Sequence, residues 1–324
     1  MSTAVHSRGT EGDAGFFARL KAFSDNVFEP KLHTAFAGLW SLSLLGNLHV
    51  VSRISTWRWD AALLVLVPTV FVCLFFLRMV DEIKDYEYDV VHNPKRPLVS
   101  GLVTRADVGR YLVLFTALVL GLNALLALPL VAWVALDLGY GLFQLPLERW
   151  SKAVRERLLV NLAAVYPVNV ALSVYTLLFF LQRTGAGFQA VQAWLIVAYA
   201  CAFLHFEFAR KTGWPALATA GERLYSMEVG MTGALTLATV MGLAAPAIAV
   251  ALFAPWAKSG AEAVTGWLPL AVLAPMAFGL SAFARNRTRR HAARPPAVAY
   301  LFTFYVTMLA HALASCSLAL GGAP

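Results

Sequence analysis

The sequence is poor in charged residues, which occupy only 14% of its 324 positions. A soluble domain carries about 25% charged residues. Hydrophobic residues reach 59% here, and the mean hydropathy is +0.66. This composition excludes an ordinary soluble protein and indicates a polytopic membrane protein. The number of apolar spans is therefore a better guide to its organisation than chain length.

Cysteine is scarce as well. Cys73, Cys201 and Cys316 fall inside apolar runs without C-x-x-C spacing, so we interpret them as small buried residues without redox function. The patterns G-x-x-x-x-G-K-[ST], G-x-G-x-x-G and H-E-x-x-H are absent, which removes the usual sequence signals of nucleotide and zinc sites. Residues 1–30 lack the apolar core of a signal peptide. We interpret them as a cytoplasmic tail with a short interfacial helix near 16–28, followed by a membrane domain over 31–324.

The apolar residues fall into nine stretches, each near the roughly 20 residues that a helix needs to cross a bilayer. The third and fourth stretches run together, and we divide them at Pro129, where a helix would break or turn. The sequence therefore predicts an all-α, polytopic bundle of nine transmembrane helices. The predicted spans are 33–52, 61–80, 108–128, 129–148, 158–181, 188–209, 230–254, 267–284 and 296–319.

Lysine and arginine are distributed unevenly between the two sides of this bundle. With the N-terminus in the cytoplasm, 22 of the 26 basic residues fall in the tail and the cytoplasmic loops. The opposite side receives only Arg53, Arg58, Arg183 and Lys258. Basic residues are enriched in cytoplasmic loops, so this asymmetry predicts that the N-terminus is cytoplasmic and the C-terminus lies on the opposite side. It also accounts for the net charge of +8 without a nucleic-acid partner.

An acidic segment follows the second apolar stretch. Asp81, Asp85 and Asp89 recur every four residues, a spacing that places three carboxylates on one helix face. Like charges at this spacing repel one another, so a cation is expected nearby. Magnesium takes carboxylate and phosphate oxygens, which indicates a site for a diphosphate-bearing lipid. The alternative is a solvated juxtamembrane helix of mixed charge.

The residues around the three aspartates extend this interpretation. Glu82 lies beside Asp81, while Lys84 and Glu87 are expected on other helix faces. Further along, Lys95 and Arg96 stand between two prolines that stop the helix, and this basic pair would face a diphosphate.

This segment resembles the first signature of the UbiA-type intramembrane prenyltransferase superfamily, R-x-x-N-D-x-x-D-x-x-x-D followed by a segment like N-R-P-L-x-x-G. Asp81 stands where the family has Asn, and Glu82 where it has the first Asp. The predicted span count and orientation agree with the family, so the resemblance covers most of the chain. The matching positions are Arg78, Asp85, Asp89, Arg96, Pro97, Leu98 and Gly101.

The second Asp-rich signature of that family, expected after the sixth span, is not present. No aspartate follows Asp137, and the corresponding region offers Glu207 with Arg210 and Lys211. One interpretation is a local ion pair between Glu207 and Lys211. The other is that Glu207 holds a metal while Arg210 or Lys211 binds phosphate in place of a second metal ion. The chain would then use fewer magnesium ions than its relatives.

Two further sets of residues are candidates for binding. Arg149 occupies the lysine position of a Tyr-Pro-x-x-Lys pattern that the family often shows, and it is either a phosphate ligand or an ordinary cytoplasmic cation. A polar stripe on the fourth span either lines a substrate cavity or forms a seam between helices. Asn161, Tyr166 and Asn169 on the fifth span are weaker candidates. The stripe consists of Asp137, Tyr140, Gln144 and Glu148.

The resemblance implies a magnesium-dependent prenyltransferase that ionises an allylic isoprenoid diphosphate and passes the prenyl group to an aromatic or lipid acceptor. Asp81, Asp85, Asp89 and Glu207 are the expected catalytic residues, and these four with Glu82 are the expected metal ligands. The expected substrate-binding residues are Arg78, Lys95, Arg96, Arg149, Arg210, Lys211, Asp137, Tyr140, Gln144 and Asn161.

Two alternatives remain open at this point. A terpene cyclase of the same fold would close the allyl cation on its own chain, which the altered second motif and the lack of an evident acceptor-binding base favour. A non-catalytic transporter or membrane scaffold would keep the fold without the chemistry. In every case the lipid bilayer is a partner.

Overall fold

A computed structural model describes residues 15–288 and 293–321. The first part of the predicted tail, with Arg8, and the basic residues Arg289 and Arg290 lie outside these residues. The described part contains nine helical stretches long and apolar enough to cross a membrane, which confirms the predicted all-α membrane bundle. In order, these spans are Pro30–Val51, Leu63–Lys84, Arg105–Ala124, Leu128–Trp150, Leu158–Thr184, Ala190–Arg210, Gly230–Ala257, Gly260–Arg285 and Arg294–Ser315.

The first seven spans begin and end within about one helical turn of their predicted bounds, and the division at Pro129 is correct, since the fourth span begins at Leu128. The eighth span starts earlier than predicted. Its first part is a short helix, Gly260–Thr265, and a 3₁₀ turn at Leu268–Val272 precedes the helix Leu273–Arg285. The prediction missed this start because the apolar run begins only after the short helix.

Two other spans are interrupted. The fifth consists of the helices Leu158–Val165 and Pro167–Thr184, which meet at Tyr166. Pro167 lacks an N–H, so it starts the second helix instead of continuing the first. The seventh comprises the helix Gly230–Phe253 and a 3₁₀ turn at Pro255–Ala257. Outside the spans lie the helices Phe16–Val27, Tyr86–His92, Pro97–Ser100, Lys152–Glu156 and Tyr225–Glu228 and the 3₁₀ turn Pro215–Leu217.

A two-stranded parallel sheet lies at the end of the bundle opposite the acidic segment. Strand Thr56–Trp59, in the loop between the first two spans, pairs with strand Ser317–Leu320, with Thr56 opposite Ser317. The predicted ninth span, 296–319, was therefore too long, because its last residues leave the helix to form this strand. The pairing ties the loop between the first two spans to the end of the ninth.

Polar side chains join the spans inside the bundle. Asn47 on the first span donates to the carbonyl of Met308 on the ninth at 2.7 Å, and Tyr199 on the sixth donates to the hydroxyl of Ser43 at 2.9 Å. Asn123 on the third span receives a hydrogen bond from Tyr175 on the fifth at 2.7 Å. In a membrane such bonds hold helices together, because lipid offers no competing partner.

The contact between the first and ninth spans gives a test of the fold. A methyl group added at Gly46 would lie 2.6 Å from Cβ of Ala312 and 2.7 Å from the ring of Trp57. Gly46→Ala should therefore destabilise the protein by about 1–3 kcal/mol, as expected for overpacking. Gly38→Ala on the same helix is the control, since its nearest neighbour is Val67 at 4.0 Å. Equal melting temperatures of the two variants in detergent would contradict this contact.

Candidate functional site

The acidic segment does not form one continuous helix. The second span's helix ends at Lys84, Asp85 has non-helical backbone angles (φ −85°, ψ 3°), and a short helix resumes at Tyr86. The expectation of three aspartates on one unbroken helix is therefore wrong at Asp85. Backbone hydrogen bonds of 2.8 Å still run from Asp85 N–H to Asp81 and from Asp89 N–H to Asp85. The two helices therefore remain connected across the break. The three carboxylates, which repel one another at this spacing, are no longer on one continuous helix.

The break divides the aspartates into two environments. Asp81 and Asp85 line a cavity of about 670 Å³ at this end of the bundle. Asp89 is not among the lining residues; it is buried, accepts a hydrogen bond from Asn93 at 2.7 Å, and lies 3.9 Å from the Arg96 guanidinium.

Asp85 carries the most perturbed carboxyl of this segment. Its side chain opens into the cavity, but the surrounding protein removes much of its hydration and raises its pKa to about 6. Lys84 opposes this shift, and the carboxylates of Asp81, Asp89 and Glu148 add to it. A cation bound among these carboxylates would lower the pKa of Asp85 and offset their mutual repulsion. The arrangement therefore favours cation binding.

Lys84 does not point away from the acidic face, as the helix periodicity predicted. Its ammonium lies 3.0 Å from the Asp81 carboxylate and 3.5 Å from Glu148 on the fourth span, and it lines the same cavity. Lys84 is the last residue of its helix, directly before the break at Asp85. Lys84 thus balances part of the acidic charge.

Glu82 has a different setting from the aspartates. Its side chain is buried and contacts Arg78, which donates to Oε1, while Arg96 approaches the same oxygen at 3.1 Å. It does not line the cavity. The contacts of Glu82 are those of an anchor between two arginines, so its predicted role as a metal ligand stays a prediction.

Glu207, on the sixth span, lines another part of the cavity. Arg210 donates to its carboxylate at 2.6 Å, the Lys211 ammonium lies 2.8 Å away, and the Tyr225 hydroxyl donates at 3.3 Å. This is the local ion pairing that the spacing predicted as one alternative, extended to two cations. Since two positive groups share one carboxylate, this wall keeps a net positive charge that suits phosphate oxygens.

The cavity therefore brings together seven of the predicted residues from three parts of the chain. Glu148, Arg155 and Arg223 also face it, and Asn161 is held there by a 2.7 Å hydrogen bond to Glu148. Tyr166 and Asn169, weaker candidates on the fifth span, line it as well, whereas Arg155 and Arg223 had no sequence signal because they follow no recognisable spacing. The predicted residues that line the cavity are Arg78, Asp81, Asp85, Asn161, Glu207, Arg210 and Lys211.

An apolar chamber of about 340 Å³ adjoins the polar cavity. The two share lining residues, among them Arg78, Asp81, Asn169 and Arg210, so a polar head and an apolar tail of one ligand could occupy both. Gln144 from the polar stripe lines this chamber. The aromatic residues of its wall are Phe28, His33, Phe36, Phe203, Phe206 and Phe302.

Several predicted residues lie elsewhere. Lys95 and Arg149 are exposed and line neither the polar cavity nor the chamber. Tyr140 donates to the carbonyl of Ala164 at 2.7 Å and joins two spans. Asp137 is buried, and neither of its carboxylate oxygens has a hydrogen-bond partner among the described residues. The polar stripe therefore serves as a helix seam at one end and as a cavity wall at the other.

A metal ion would have to share its coordination with a ligand. Within residues 15–288 and 293–321, no three His, Cys, Asp or Glu side chains are grouped closely enough to hold a metal ion. Asp81 and Asp85 nevertheless offer carboxylates to an open cavity. Magnesium commonly binds one or two carboxylates together with substrate phosphates, so this donor set fits magnesium brought in with a diphosphate.

The chain is similar to known proteins in structure but not in sequence. No protein-family model matches the chain, and no curated protein matches it in sequence. An apo UbiA homolog from Aeropyrum pernix K1 superimposes with a TM-score of 0.61 at 16% identity, covering 85% of this chain and 96% of the homolog. A digeranylgeranylglyceryl phosphate synthase superimposes with a TM-score of 0.61 at 13% identity, covering 92% and 98%. The nine-span membrane chain described here therefore has the UbiA-type fold.

Proposed function

We propose that the protein is an intramembrane prenyltransferase that ionises an allylic isoprenoid diphosphate and transfers its prenyl group to an aromatic or lipid acceptor. The observation that carries this proposal is the joined pair of cavities. A chamber lined by aromatic rings opens into a cavity lined by both carboxylates and cations. A prenyl diphosphate has the same division between an apolar chain and a highly charged head. The fold shared with UbiA-type proteins supports the same assignment.

The cavity residues have distinct roles in this proposal. Arg78, Arg210 and Lys211 bind the diphosphate oxygens, and Asp81 and Asp85 would hold Mg²⁺. When bound, magnesium neutralises the charge that develops on the departing diphosphate. The cations stabilise the same charge as the carbon–oxygen bond breaks.

Other predicted residues have supporting roles. Glu82 and Asp89 fix Arg96, which lies between them, and Arg96 in turn positions the acidic segment. Glu207 orients Arg210 and Lys211 towards the cavity. We assign Lys95 and Arg149 to the approach of the anionic substrate, because both are exposed cations near this end of the bundle.

The proposal is tested by incubating the purified protein with allylic diphosphates of several chain lengths, with and without Mg²⁺. We expect release of diphosphate that depends on magnesium. The saturated analogue of the same length is the control, because it cannot form an allyl cation. No release from any allylic substrate at any magnesium concentration, or equal release from the saturated analogue, would contradict the proposal.

A terpene cyclase is the second candidate, and the aromatic wall of the chamber favours it. Phe36, Phe203 and Phe206 line the space that the prenyl chain would occupy, and aromatic faces stabilise cations. Product mass separates the two reactions: a cyclic hydrocarbon or alcohol indicates cyclisation, and a prenylated acceptor indicates transfer. Movement of a ligand across the bilayer without diphosphate release would identify a transporter.

We also propose that the acidic segment faces the cytoplasm, as the distribution of basic residues indicates. Ser100 follows the short basic segment and lies at this end of the bundle. A cysteine introduced by Ser100→Cys should react with an impermeant maleimide only from the cytoplasmic side of oriented vesicles. Labelling from the other side alone would reverse the assigned topology.

A further inference from the structure

A second polar cavity lies at the opposite end of the bundle from the acidic segment. Its volume is about 430 Å³, and it is bounded by the ends of the first and fifth spans and by the strand Thr56–Trp59. Its charged and polar lining consists of His49, Thr56, Trp57, Arg58, Arg183 and Thr184. None of these residues takes part in the reaction proposed above.

Positive charge on this face is sparse but concentrated at this cavity. Among the described residues of this face, two of the basic side chains, Arg58 and Arg183, line the cavity. Arg183 pairs with Asp60 and lies over the ring of Phe179. Arg58 forms no ion pair with any residue that the structure describes. The lining therefore carries a net positive charge.

A buried tryptophan forms the cavity wall beside these cations. Trp57 is fully buried, and its indole N–H has no acceptor among the described residues. The indole nitrogen is also shielded from the cavity surface, so Trp57 contributes a rigid wall and no donor to a ligand. The charged donors that a ligand in this cavity can reach are the two guanidinium groups.

The walls of the cavity are held in position by the backbone. The strand that carries Trp57 and Arg58 is paired along its length with Ser317–Leu320, and Ser52 at the end of the first span accepts a 2.8 Å hydrogen bond from Gln192. His49 packs edge-on against Phe180, with ring centroids 4.9 Å apart. Little ordering is therefore required when a ligand binds, which favours affinity.

We propose that this cavity binds a phosphate group through Arg58 and Arg183. Guanidinium groups match phosphate oxygens in geometry and charge. Leu45, Ile54 and Phe180 form apolar walls beside the cations, as the headgroup region of an anionic phospholipid would require. The same chemistry would also accept free inorganic phosphate, and the experiment separates these two sources.

The test uses the purified full-length chain in a neutral detergent. Short-chain phosphatidylglycerol, short-chain phosphatidylcholine and inorganic phosphate are titrated separately, and binding is followed by the melting temperature and by native mass spectrometry. We expect saturable binding of phosphatidylglycerol and weaker binding of phosphatidylcholine. Arg58→Gln should weaken binding by about ten- to a hundredfold, the usual loss for a hydrogen bond to a charged group.

The matched control is Lys258→Gln, which removes a cation from the same face; Lys258 is paired with Glu262 and lies outside this cavity. Its binding curve should equal that of the unmodified protein. Because Arg58 has no ion-pair partner in the described structure, Arg58→Gln should fold normally, and the double variant Arg183→Gln with Asp60→Asn gives an independent, charge-balanced check. Binding of inorganic phosphate that Arg58→Gln weakens would identify free phosphate as the ligand. Equal affinities of the Arg58 and Lys258 variants for every ligand would overturn the proposal.

Discussion

Asp85→Asn should reduce magnesium-dependent diphosphate release by about a hundredfold or more, the range seen when one group that stabilises transition-state charge is lost. Asp85 opens into the cavity beside Asp81, and its pKa is raised chiefly by burial and further by the neighbouring carboxylates. Asparagine keeps the shape of the side chain but removes its charge, so the loss is expected in magnesium affinity as well as in rate. Initial rates at several magnesium concentrations measure both.

The same substitution should not weaken the fold. The pKa of Asp85 is raised to about 6, so its ionised form is disfavoured in the folded protein. Without metal, the stability of the unmodified protein should fall as pH rises from about 4 to about 6, relative to Asp85→Asn. The two proteins should converge below the unfolded pKa of about 3.9. Melting curves of both proteins, measured over this pH range in a chelating buffer, test the direction of this change in stability.

Glu156→Gln is the matched control for both measurements. Glu156 is an exposed acid at the same end of the bundle and pairs only with Lys152, at 3.8 Å, among the described residues. Surface pairs of this kind contribute about 0–1 kcal/mol, so activity and stability should stay near those of the unmodified protein. An Asp85→Asn variant with full activity and an unchanged magnesium requirement would remove Asp85 from the site.

The membrane architecture could be predicted because it depends on local composition. An apolar run of sufficient length forms a spanning helix whatever its neighbours are, and Pro129 marks the boundary between the third and fourth spans by its own chemistry. The strand Ser317–Leu320 could not be predicted in the same way. It exists because its partner, Thr56–Trp59, lies beside it in space although far away in sequence.

The candidate site was predictable in part for the same reason. The spacing of Asp81 and Asp85 and the positions of Glu207, Arg210 and Lys211 are local features, and all five line the cavity. The direction of Lys84 was missed, because it depends on Glu148 on another span. The environment of Asp137 could not be predicted either. Helix periodicity places Asp137 on the same stripe as Glu148, but it does not show which part of the stripe packs against a neighbouring helix.

The absence of a second aspartate-rich motif has a physical consequence in the structure. On the sixth span, the cavity wall carries Glu207 paired with both Arg210 and Lys211. We expect such a wall to attract phosphate oxygens directly and to bind a divalent cation only weakly. We therefore expect one side of the diphosphate to be bound through magnesium and the other through side-chain cations.

Glu82→Gln should destabilise the protein by about 1–3 kcal/mol, less than the loss of a fully buried ion pair, because Arg78 and Arg96 are partly exposed and water can solvate them. Glu82 lies buried between Arg78 and Arg96, and its loss leaves two guanidinium groups without the anion that holds them together. Unfolding in a graded mixture of detergents measures the loss. Asp25→Asn is the control, since Asp25 forms an exposed pair with Lys21 at 2.6 Å and should change stability little.

The magnesium dependence of this variant decides what Glu82 does. If Glu82 is an anchor for the two arginines, the surviving folded protein should keep its magnesium requirement, while the affinity for the diphosphate falls because Arg78 is no longer held at the cavity. If Glu82 is instead a metal ligand, the variant should keep most of its stability and require more magnesium. The two roles therefore change different quantities: an anchor lowers stability and diphosphate affinity through its cationic partners, whereas a ligand raises the magnesium requirement.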